Sequence, residues 1–200
     1  MNKILYFRRF FAISTIIATS AIITACSTAP SAFIVTPQLL LPSNNHYSGQ
    51  HASVKVEDMR TAHHVLEIVK EDSAAQIVTS RTPLQTDIAT AFTAGLKKSG
   101  LDVSSASANQ LRLVINQAKI TVEQSLSKYA SQSVIRLTVQ FSGGDKTLTK
   151  TFNSRSTSNG VLKADMAVLE RDFNQQLSDL LTQVVQDPEL QQFVQRASVQ

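Results

Sequence analysis

The sequence predicts an α+β fold: a mainly antiparallel sheet with two principal helices packed on one face, in the order strands, helix, strands, helix. Residues 52–57 alternate apolar and polar side chains, which is typical of a strand with one buried face. Residues 83–99 and 162–185 instead repeat apolar side chains every three or four positions, as amphipathic helices do. Because these helical segments alternate with groups of strands, a helix-on-sheet domain is expected.

Further segments are predicted to be strands from their apolar alternation or their β-branched content. They cover residues 63–70, 75–80, 111–124, 134–141 and 147–157, and residues 101–104 are predicted as either a short strand or a link. The apolar phase of the longest one changes at Asn116 and Gln117, so a β-bulge is predicted there. Ser142–Asp145 has the composition of a tight hairpin turn, and the polar residues 124–133 are predicted to form a second connection between strands.

Local signals mark the ends of the first predicted helix. Thr82 is expected to cap its free amides, Pro83 suits its first turn, and Gln85 is placed to complete a capping box. Gly100 is expected to end the helix in a left-handed conformation.

Two more segments are predicted outside this order. Ala32–Leu41 is apolar but contains Pro37, which cannot donate to a ladder, so it is predicted at best as an edge strand. Near the end of the chain, Asp187 is expected to cap a short terminal helix.

Residues 1–25 have the layout of a targeting segment. Lys3, Arg8 and Arg9 precede an uncharged, mostly apolar run at residues 10–23. This run is shorter than the roughly 20 residues that a helix needs to span a bilayer, so a signal peptide is predicted instead of a transmembrane helix.

The end of this segment carries a more specific signal. Ile23-Thr24-Ala25-Cys26 resembles the lipobox of bacterial lipoproteins, and Cys26 is the only cysteine of the chain. The resemblance implies cleavage between Ala25 and Cys26, a diacylglyceryl thioether on Cys26 and acylation of its new amino group. Ser27 stands where lipoproteins retained in the inner membrane tend to carry Asp, which implies sorting to the outer membrane. The alternative is an ordinary signal peptide that leaves a free thiol.

The expected organisation is a removed signal peptide at 1–25, a lipidated cysteine and short tether at 26–32, and one periplasmic α+β domain at 33–200. Three of the 19 basic residues lie in the signal peptide, and the remaining 16 nearly balance the 15 acidic residues. This balance and the absence of tryptophan give nucleic-acid binding no support. No cofactor is expected, and lipidation of the lone cysteine excludes a disulfide or a cysteine-based metal site.

The best remaining candidates for chemistry are histidines. His63 and His64 are adjacent on a predicted strand and would point to opposite faces, so two packed or exposed imidazoles are favoured over a shared metal ion. His46 and His51 flank a loop, and a site there is similarly disfavoured. The sequence contains no nucleophile elbow, phosphate-binding loop, dinucleotide fingerprint or zinc-binding helix motif. We therefore predict no catalytic and no metal-binding residues.

Three other features allow either a functional or a structural interpretation. Four charged residues lie near the first predicted strand and helix: Asp58, Arg60, Arg81 and Asp87. They would form a polar rim around a ligand, or they would stabilise turns and cap the helix, and the second interpretation is favoured. Ser142–Asp145 would be a phosphate nest or, far more commonly, a hairpin turn. The apolar stripe of the 162–185 helix is expected to be core rather than a partner-binding face.

Several segments together carry a family resemblance. They are the lipobox ending at Cys26, Val35-Thr36-Pro37, Leu41-Pro42, Val54–Thr61, Ile77–Arg81, the final helix and Asp187–Phe193. In these segments the chain resembles the YajG-type family of uncharacterised lipoproteins from Gram-negative bacteria. The resemblance implies an outer-membrane lipoprotein that faces the periplasm, with no assigned activity and no catalytic residues to carry over.

The preferred hypothesis is a non-enzymatic binding or adaptor module, tethered to the membrane at Cys26, that binds an envelope protein, glycan or lipid. The edge strand Ala32–Leu41 is expected to accept a partner strand. The alternatives are an envelope hydrolase or transferase with dispersed Asp, Ser and His residues, and a lipid carrier. A pocket with clustered, perturbed carboxylates or histidines would favour the enzyme, and an apolar cavity between sheet and helices would favour the carrier. The oligomeric state is left open.

Overall fold

The computed structural model describes residues 32–42 and 45–197 of the 200-residue chain. The predicted signal peptide, cleavage site, anchor and sorting residue, which include Ala25, Cys26 and Ser27, lie outside these residues. The strands are β1 (His51–Asp58), β2 (Leu66–Lys70), β3 (Gln76–Val78), β4 (Asp102–Val103), β5 (Gln110–Gln124), β6 (Lys128–Gly143) and β7 (Lys146–Val161). The helices are α1 (Leu84–Lys98), α2 (Met166–Val185) and α3 (Pro188–Ala197).

The sheet is built around β5. Its first half pairs in parallel with β1 and its second half pairs in parallel with β2, both along the same edge. The other edge of β5 pairs antiparallel with β6, which pairs antiparallel with β7. β4 lies parallel beside β1, and β3 lies antiparallel beside β2.

This topology confirms the α+β class but corrects the prediction of a mainly antiparallel sheet, because the sheet is mixed. Parallel strands need a long crossover connection. The chain between Asp58 and Gln110 supplies that crossover for β1 and β5, and it includes α1. Alternation along a single strand does not record which distant strand lies beside it, so the sequence pattern could not predict this pairing.

The bulge predicted at Asn116 and Gln117 is confirmed, because the register of β5 against β6 shifts between Ile115 and Gln117. Ile115 before the bulge and Ala118 after it are both buried, at 0% and 1% exposure. The extra residue thus keeps both apolar phases of β5 on the core side of the sheet.

The two hairpin connections beside β6 differ from each other. Ser142–Asp145 forms the predicted turn, and its central Gly144 adopts a left-handed conformation at φ 57°. The connection predicted at 124–133 is wrong, because β6 begins at Lys128 and only residues 125–127 join it to β5. The polar composition of this stretch concealed a strand whose backbone pairs with β5 on one side and β7 on the other.

The C-terminal end of α1 was predicted correctly and its N-terminal cap was not. Gly100 adopts φ 94° after the helix, as expected. The hydroxyl of Thr82 instead donates to the carboxylate of Asp87 at 2.5 Å, and the Gln85 side chain donates to the carbonyl of Val56 at 2.7 Å. Of the residues expected to form a capping box, Gln85 therefore ties the start of α1 to β1, while Thr82 bonds to the first turn of the helix itself.

The apolar stripe of α2 is core, as predicted. Its buried hydrophobic members are Leu169, Phe173, Leu177, Leu180, Leu181, Val184 and Val185. Leu162 is a correction, because it precedes the helix and is 65% exposed, and Asp165 caps the helix by accepting from the Ala167 amide at 2.8 Å. The carboxylate of Asp187 caps α3, as predicted, by accepting from the Leu190 amide at 2.9 Å.

Residues 32–41, which we call the strap, do not form the predicted edge strand. Within the described residues, a single isolated bridge from Phe33 to Ser80 joins the strap to other extended chain. Alternate backbone N–H groups of the strap instead donate to side chains spaced four residues apart on α2. The pairs are Ile34 with Glu170, Thr36 with Asn174 and Gln38 with Ser178, at 2.7, 2.7 and 2.9 Å.

The strap fits α2 because two periodicities agree. Two residues of extended chain and four residues of helix both advance about 6 Å. The strap side chains that alternate with the bonded amides point into the core, where Phe33 meets the ring of Phe173 edge-on at 5.6 Å between centroids.

Across the described ranges, no helix is long and apolar enough to cross a membrane.

Candidate functional site

Asp58 and Arg60, two of the residues considered for a polar rim, form a buried ion pair at the end of β1. The Nε and Nη2 atoms of Arg60 donate to the two carboxylate oxygens of Asp58 at 2.9 and 2.8 Å. The other N–H groups donate to the carbonyls of His63, His64 and Ala118, at 3.1 to 3.3 Å. All five guanidinium donors are thus used to fasten the loop after β1 to the bulge of β5.

The pair leaves no free charge for a ligand. Burial raises the pKa of Asp58, but the hydrogen bonds from Arg60 outweigh this effect and hold the pKa below its usual value. Arg81 and Asp87 do not join the pair: the Arg81 amide donates to the Phe33 carbonyl at 2.9 Å, and Asp87 accepts from Thr82. The structural interpretation of these four charged residues is therefore the better one.

The histidine candidates lie in different surroundings from those predicted. β2 begins only at Leu66, so His63 and His64 belong to the preceding loop and not to a strand. The His63 side chain is 71% exposed, with Nδ1 3.4 Å from Asp58. His64 is partly buried, and burial, followed by the charge of Lys119, lowers its pKa.

The two remaining histidines also lack the surroundings of a metal site. His51 Nδ1 lies 2.8 Å from the carboxylate of Asp102 on the surface, and the backbone carbonyl of His46 accepts from the Gln195 side chain at 3.0 Å. In the part of the chain that the structure describes, no group of three or more His, Cys, Asp or Glu residues is arranged to hold a metal ion.

Ion pairs on the outer face of the sheet join neighbouring strands. Arg112 on β5 bonds to Glu57 on β1, and Lys119 on β5 bonds to Glu67 on β2. The hydrogen bonds from Arg112, and then from Lys55, lower the pKa of Glu57 to about 2. Because these charges pair across neighbouring strands, the lowered carboxylate pKa values are explained by sheet structure and do not require a catalytic site.

β7 carries a candidate binding edge that was not predicted from the sequence. Within the described chain it pairs only with β6, so one edge of this 16-residue strand has no strand beside it. Residues 155–159 are exposed on both faces of the strand as well. The only signal in the sequence is composition, since serine, threonine and asparagine replace the apolar residues that a covered strand would carry.

The hydrogen-bond register shows which backbone groups lie along the open edge. The amide of Leu162 donates to the carbonyl of Ser127 at 2.8 Å. From the pair Lys128 and Val161 to the pair Gly143 and Lys146, the register between β6 and β7 does not change. Antiparallel pairs alternate between bonded and non-bonded positions, so the even-numbered residues of β7 bond to β6. The odd-numbered residues, among them Arg155 and Thr157, direct their N–H and C=O groups to the open edge.

The open edge is basic. β7 contains Lys146, Lys150 and Arg155 and no acidic residue. Lys150 is neutralised by Asp187 and Glu189 at 2.6 and 2.9 Å, which ties the first half of β7 to the start of α3. The second half keeps an exposed Arg155, so the most accessible stretch of the edge carries a positive charge.

Two solved structures are similar to this chain. A protein from Xanthomonas campestris is similar with a TM-score of 0.58 at 14% identity, over 84% of this chain and 100% of that one. A homologue of a neuraminyllactose-binding hemagglutinin from Helicobacter pylori is similar with a TM-score of 0.45 at 12% identity, over 82% of this chain and 99% of that one. At these identities the first likeness supports the fold alone. No curated protein matches the chain in sequence.

A family model matches the chain over most of its length. The model, Lipoprotein_16, is described as an uncharacterized lipoprotein and matches residues 37–195. This match confirms the resemblance to a lipoprotein family, while the YajG-type subgroup stays a prediction. The match excludes the lipobox, so it is independent of the signal at Cys26. The chain belongs to this family of uncharacterised lipoproteins.

Proposed function

We propose that this protein is a lipid-anchored, non-enzymatic adaptor that binds an extended, acidic segment of an envelope protein along the open edge of β7. The observation that carries the proposal is that, among the described residues, no strand pairs with the outer edge of β7, along which the odd-numbered N–H and C=O groups lie beside Arg155. An added strand would form main-chain hydrogen bonds with these groups, and its side chains would set the specificity.

The anchor and the location form part of the proposal. We place the lipid on Cys26 and the mature protein on the periplasmic face of the outer membrane, because of the lipobox and Ser27. Membership of a lipoprotein family supports the anchor. Three acyl chains would exceed the two that stable anchoring needs. Tethering also raises the effective concentration of a partner in the same envelope, so a weak edge contact becomes sufficient.

An acidic segment fits the edge better than a second copy of the chain. Pairing two β7 strands edge to edge would bring one strand with Lys146 and Arg155 beside another with the same charges. Like charges on neighbouring strands are destabilising, and natural edge strands use basic residues to prevent self-pairing. A segment with carboxylates opposite Arg155 would gain attraction instead.

The test places a photocrosslinking amino acid at Asn153, an exposed odd-numbered position of β7, in cells that make the full protein. We expect an adduct with an extended, acidic segment of an envelope protein. Thr157→Pro should abolish this adduct, because proline removes one outward N–H group without removing a ladder bond to β6. Thr157→Val keeps the N–H group and should leave the adduct in place.

Three outcomes would contradict the proposal. The adduct could survive Thr157→Pro, it could map to a second copy of this chain, or it could be absent from cells that make the protein at its native level. Arg155→Glu adds a quantitative check, since it should weaken crosslinking to the acidic segment.

The anchor has its own test, which does not depend on β7. Cys26→Ala should prevent incorporation of labelled palmitate and leave an unprocessed or soluble protein. Palmitate labelling of the variant would show that the anchor assignment is wrong, whatever β7 binds.

The two alternative classes have less support. The charged candidates near β1 are used in structural bonds, which does not favour a hydrolase or transferase. A lipid carrier would need a cavity between helices and sheet, but Leu177 of α2 and Ile135 of β6 are both fully buried within one hydrophobic core.

A further inference from the structure

One end of the sheet carries exposed apolar side chains. This end, which we call the hairpin tip, consists of residues 124–128, where β5 turns into β6, and residues 160–163, at and just beyond the end of β7. Leu126, Val161 and Leu162 are 101%, 79% and 65% exposed. The bond from the Leu162 amide to the Ser127 carbonyl holds the two parts of the tip together. Three large apolar side chains are therefore presented to solvent on a hydrogen-bonded frame.

Leu162 is also held in an unusual backbone conformation. Its φ is 65°, in the left-handed region that bulky residues rarely adopt. A glycine or asparagine would turn the chain here with less strain, yet the position carries an exposed leucine. Strain that presents an apolar side chain to solvent points to a use for that side chain.

A cleft of about 810 Å³ beside the tip extends this surface. Its lining includes Val69, Tyr129 and Gly160, and most of the lining surface is apolar. The Tyr129 ring lies against Gly160, where a Cβ atom would come within 2.6 Å of the ring. The glycine thus leaves room for the tyrosine ring beside the end of β7.

The tip lies at the end of the domain where the chain enters from the anchor. The strap runs parallel to α2, from Glu170 toward Ser178, so its beginning at Ala32 lies by the N-terminal half of α2. α2 itself begins four residues after Leu162. Five residues separate Cys26 from Ala32, and the six Cα–Cα steps between them span about 20 Å at full extension. A lipid on Cys26 would therefore keep this end of the domain near the bilayer.

We propose that the hairpin tip rests on the lipid surface that holds Cys26, with Leu126 and Leu162 inserted at the level of the headgroups. The inference needs lipidation of Cys26 but does not need a partner on β7. Apolar side chains that insert at the level of the headgroups are removed from water although the protein does not cross the membrane.

The charges around the tip predict an apolar contact rather than an electrostatic one. The basic residues of this end, Lys70, Lys128 and Lys163, are accompanied by at least as many acidic ones. These are Glu71, Asp72, Glu123 and Asp165. Attraction to anionic lipids would require an excess of positive charge, and salt would weaken it. The contact should therefore be insensitive to salt and to the proportion of anionic lipid.

The experiment uses the full mature protein, with acyl chains on its N-terminal peptide verified by mass spectrometry. Because lipid blocks the only native cysteine, Leu126→Cys can be labelled uniquely with an environment-sensitive fluorophore. In vesicles of phosphatidylethanolamine and phosphatidylglycerol, we expect a blue shift of its emission and quenching by spin-labelled lipid, unchanged by salt. Asp145→Cys, in the turn at the other end of β6, is the matched control and should show neither effect.

A label at Leu126→Cys that is as accessible to aqueous iodide as the label at Asp145→Cys would overturn the proposal. A second variant tests whether the tip inserts as a unit. With the label at Leu162→Cys, adding Leu126→Asp should abolish the blue shift, and since Leu126 is fully exposed the fold should not change. A shift that persists in this double variant would also contradict the proposal.

Discussion

The strap and β7 are both extended segments at the surface, but they satisfy their backbones in opposite ways. The strap is apolar, and its amides bond to side chains of α2 while Phe33 and Val35 enter the core. The second half of β7 is polar, pairs along the described chain with β6 as its only strand, and is exposed on both faces over residues 155–159. The apolar segment that was predicted as an edge strand is closed, whereas a strand predicted only as the second arm of a hairpin is open.

This difference shows what an edge strand requires. A segment accepts a partner only if its outward backbone groups are free, and apolar alternation alone does not show that they are. In the strap, a helix with Glu170, Asn174 and Ser178 four residues apart takes the place of a neighbouring strand. Over the ranges 32–42 and 45–197, no such row of helix side chains bonds to the odd-numbered residues of β7, so this edge stays available.

The largest expected effect is on the closed segment. Phe33→Ala should lower the free energy of unfolding by about 3–5 kcal/mol, because it empties a fully buried site against Phe173. Leu40→Ala is the control within the strap, since this side chain is 79% exposed, and it should change stability by less than about 0.5 kcal/mol. Urea unfolding of both variants measures the difference. Equal effects would show that the strap is not docked through Phe33.

A smaller loss is expected when a helix side chain that bonds the strap is removed. Asn174 accepts from the Thr36 amide and donates to the Ile34 carbonyl, at 2.7 and 2.9 Å. Asn174→Ala removes both bonds and should cost about 0.5–1.5 kcal/mol, because water can reach the exposed Thr36 amide. Gln175→Ala, on the exposed side of the same turn, should be nearly neutral. If the two variants unfold at the same urea concentration, side chains of α2 do not hold the strap.

Proline substitutions at two adjacent residues of β7 test which backbone amides bond to β6 and which point to the open edge. Ser158→Pro removes an amide that bonds to β6 and should destabilise the protein by about 1–3 kcal/mol. Thr157→Pro removes an amide that points to the open edge and should cost distinctly less. Thermal unfolding of the pair gives the ranking, and the reverse ranking would mean that the open edge carries the even-numbered residues.

The smallest effect concerns the ion pairs that close the first half of β7. Hydrogen bonds to Asp187, and then to Glu189, raise the pKa of Lys150 above its usual 10.5. The stabilisation is therefore fully present below pH 10.5 and is lost as the pH rises through the raised pKa. Lys150→Met should remove this alkaline dependence at a cost below about 1 kcal/mol, while Lys146→Met should keep it. Unfolding measured between pH 9 and 12 would contradict the assignment if both variants retained the same slope.

The sequence predicted what depends on neighbouring residues. Gly100 after α1, the bulge at Asn116 and the turn at Gly144 follow from the backbone conformations that these residues allow or from a change of apolar phase. The core stripe of α2 follows from helical spacing, although it was extended too far, to Leu162. Each of these features depends on residues that lie close together in the sequence.

The sequence did not predict features that depend on distant partners. The parallel pairing of β1 and β2 with β5, and the docking of the strap on α2, join residues far apart in the chain. Arg60 could be recognised as charged but not as the residue that fastens the β5 bulge, because its acceptors are mostly backbone carbonyls. The open edge of β7 is a property of what is missing beside it, which no local pattern records.

Amide hydrogen exchange tests the contrast between the closed strap and the open β7 edge most directly. We predict slow exchange for the amides of Ile34, Thr36 and Gln38, and an alternation along β7 in which Ser156 and Ser158 exchange slowly while Arg155 and Thr157 exchange fast. Fast exchange in the strap, or uniform protection along the second half of β7, would contradict this account.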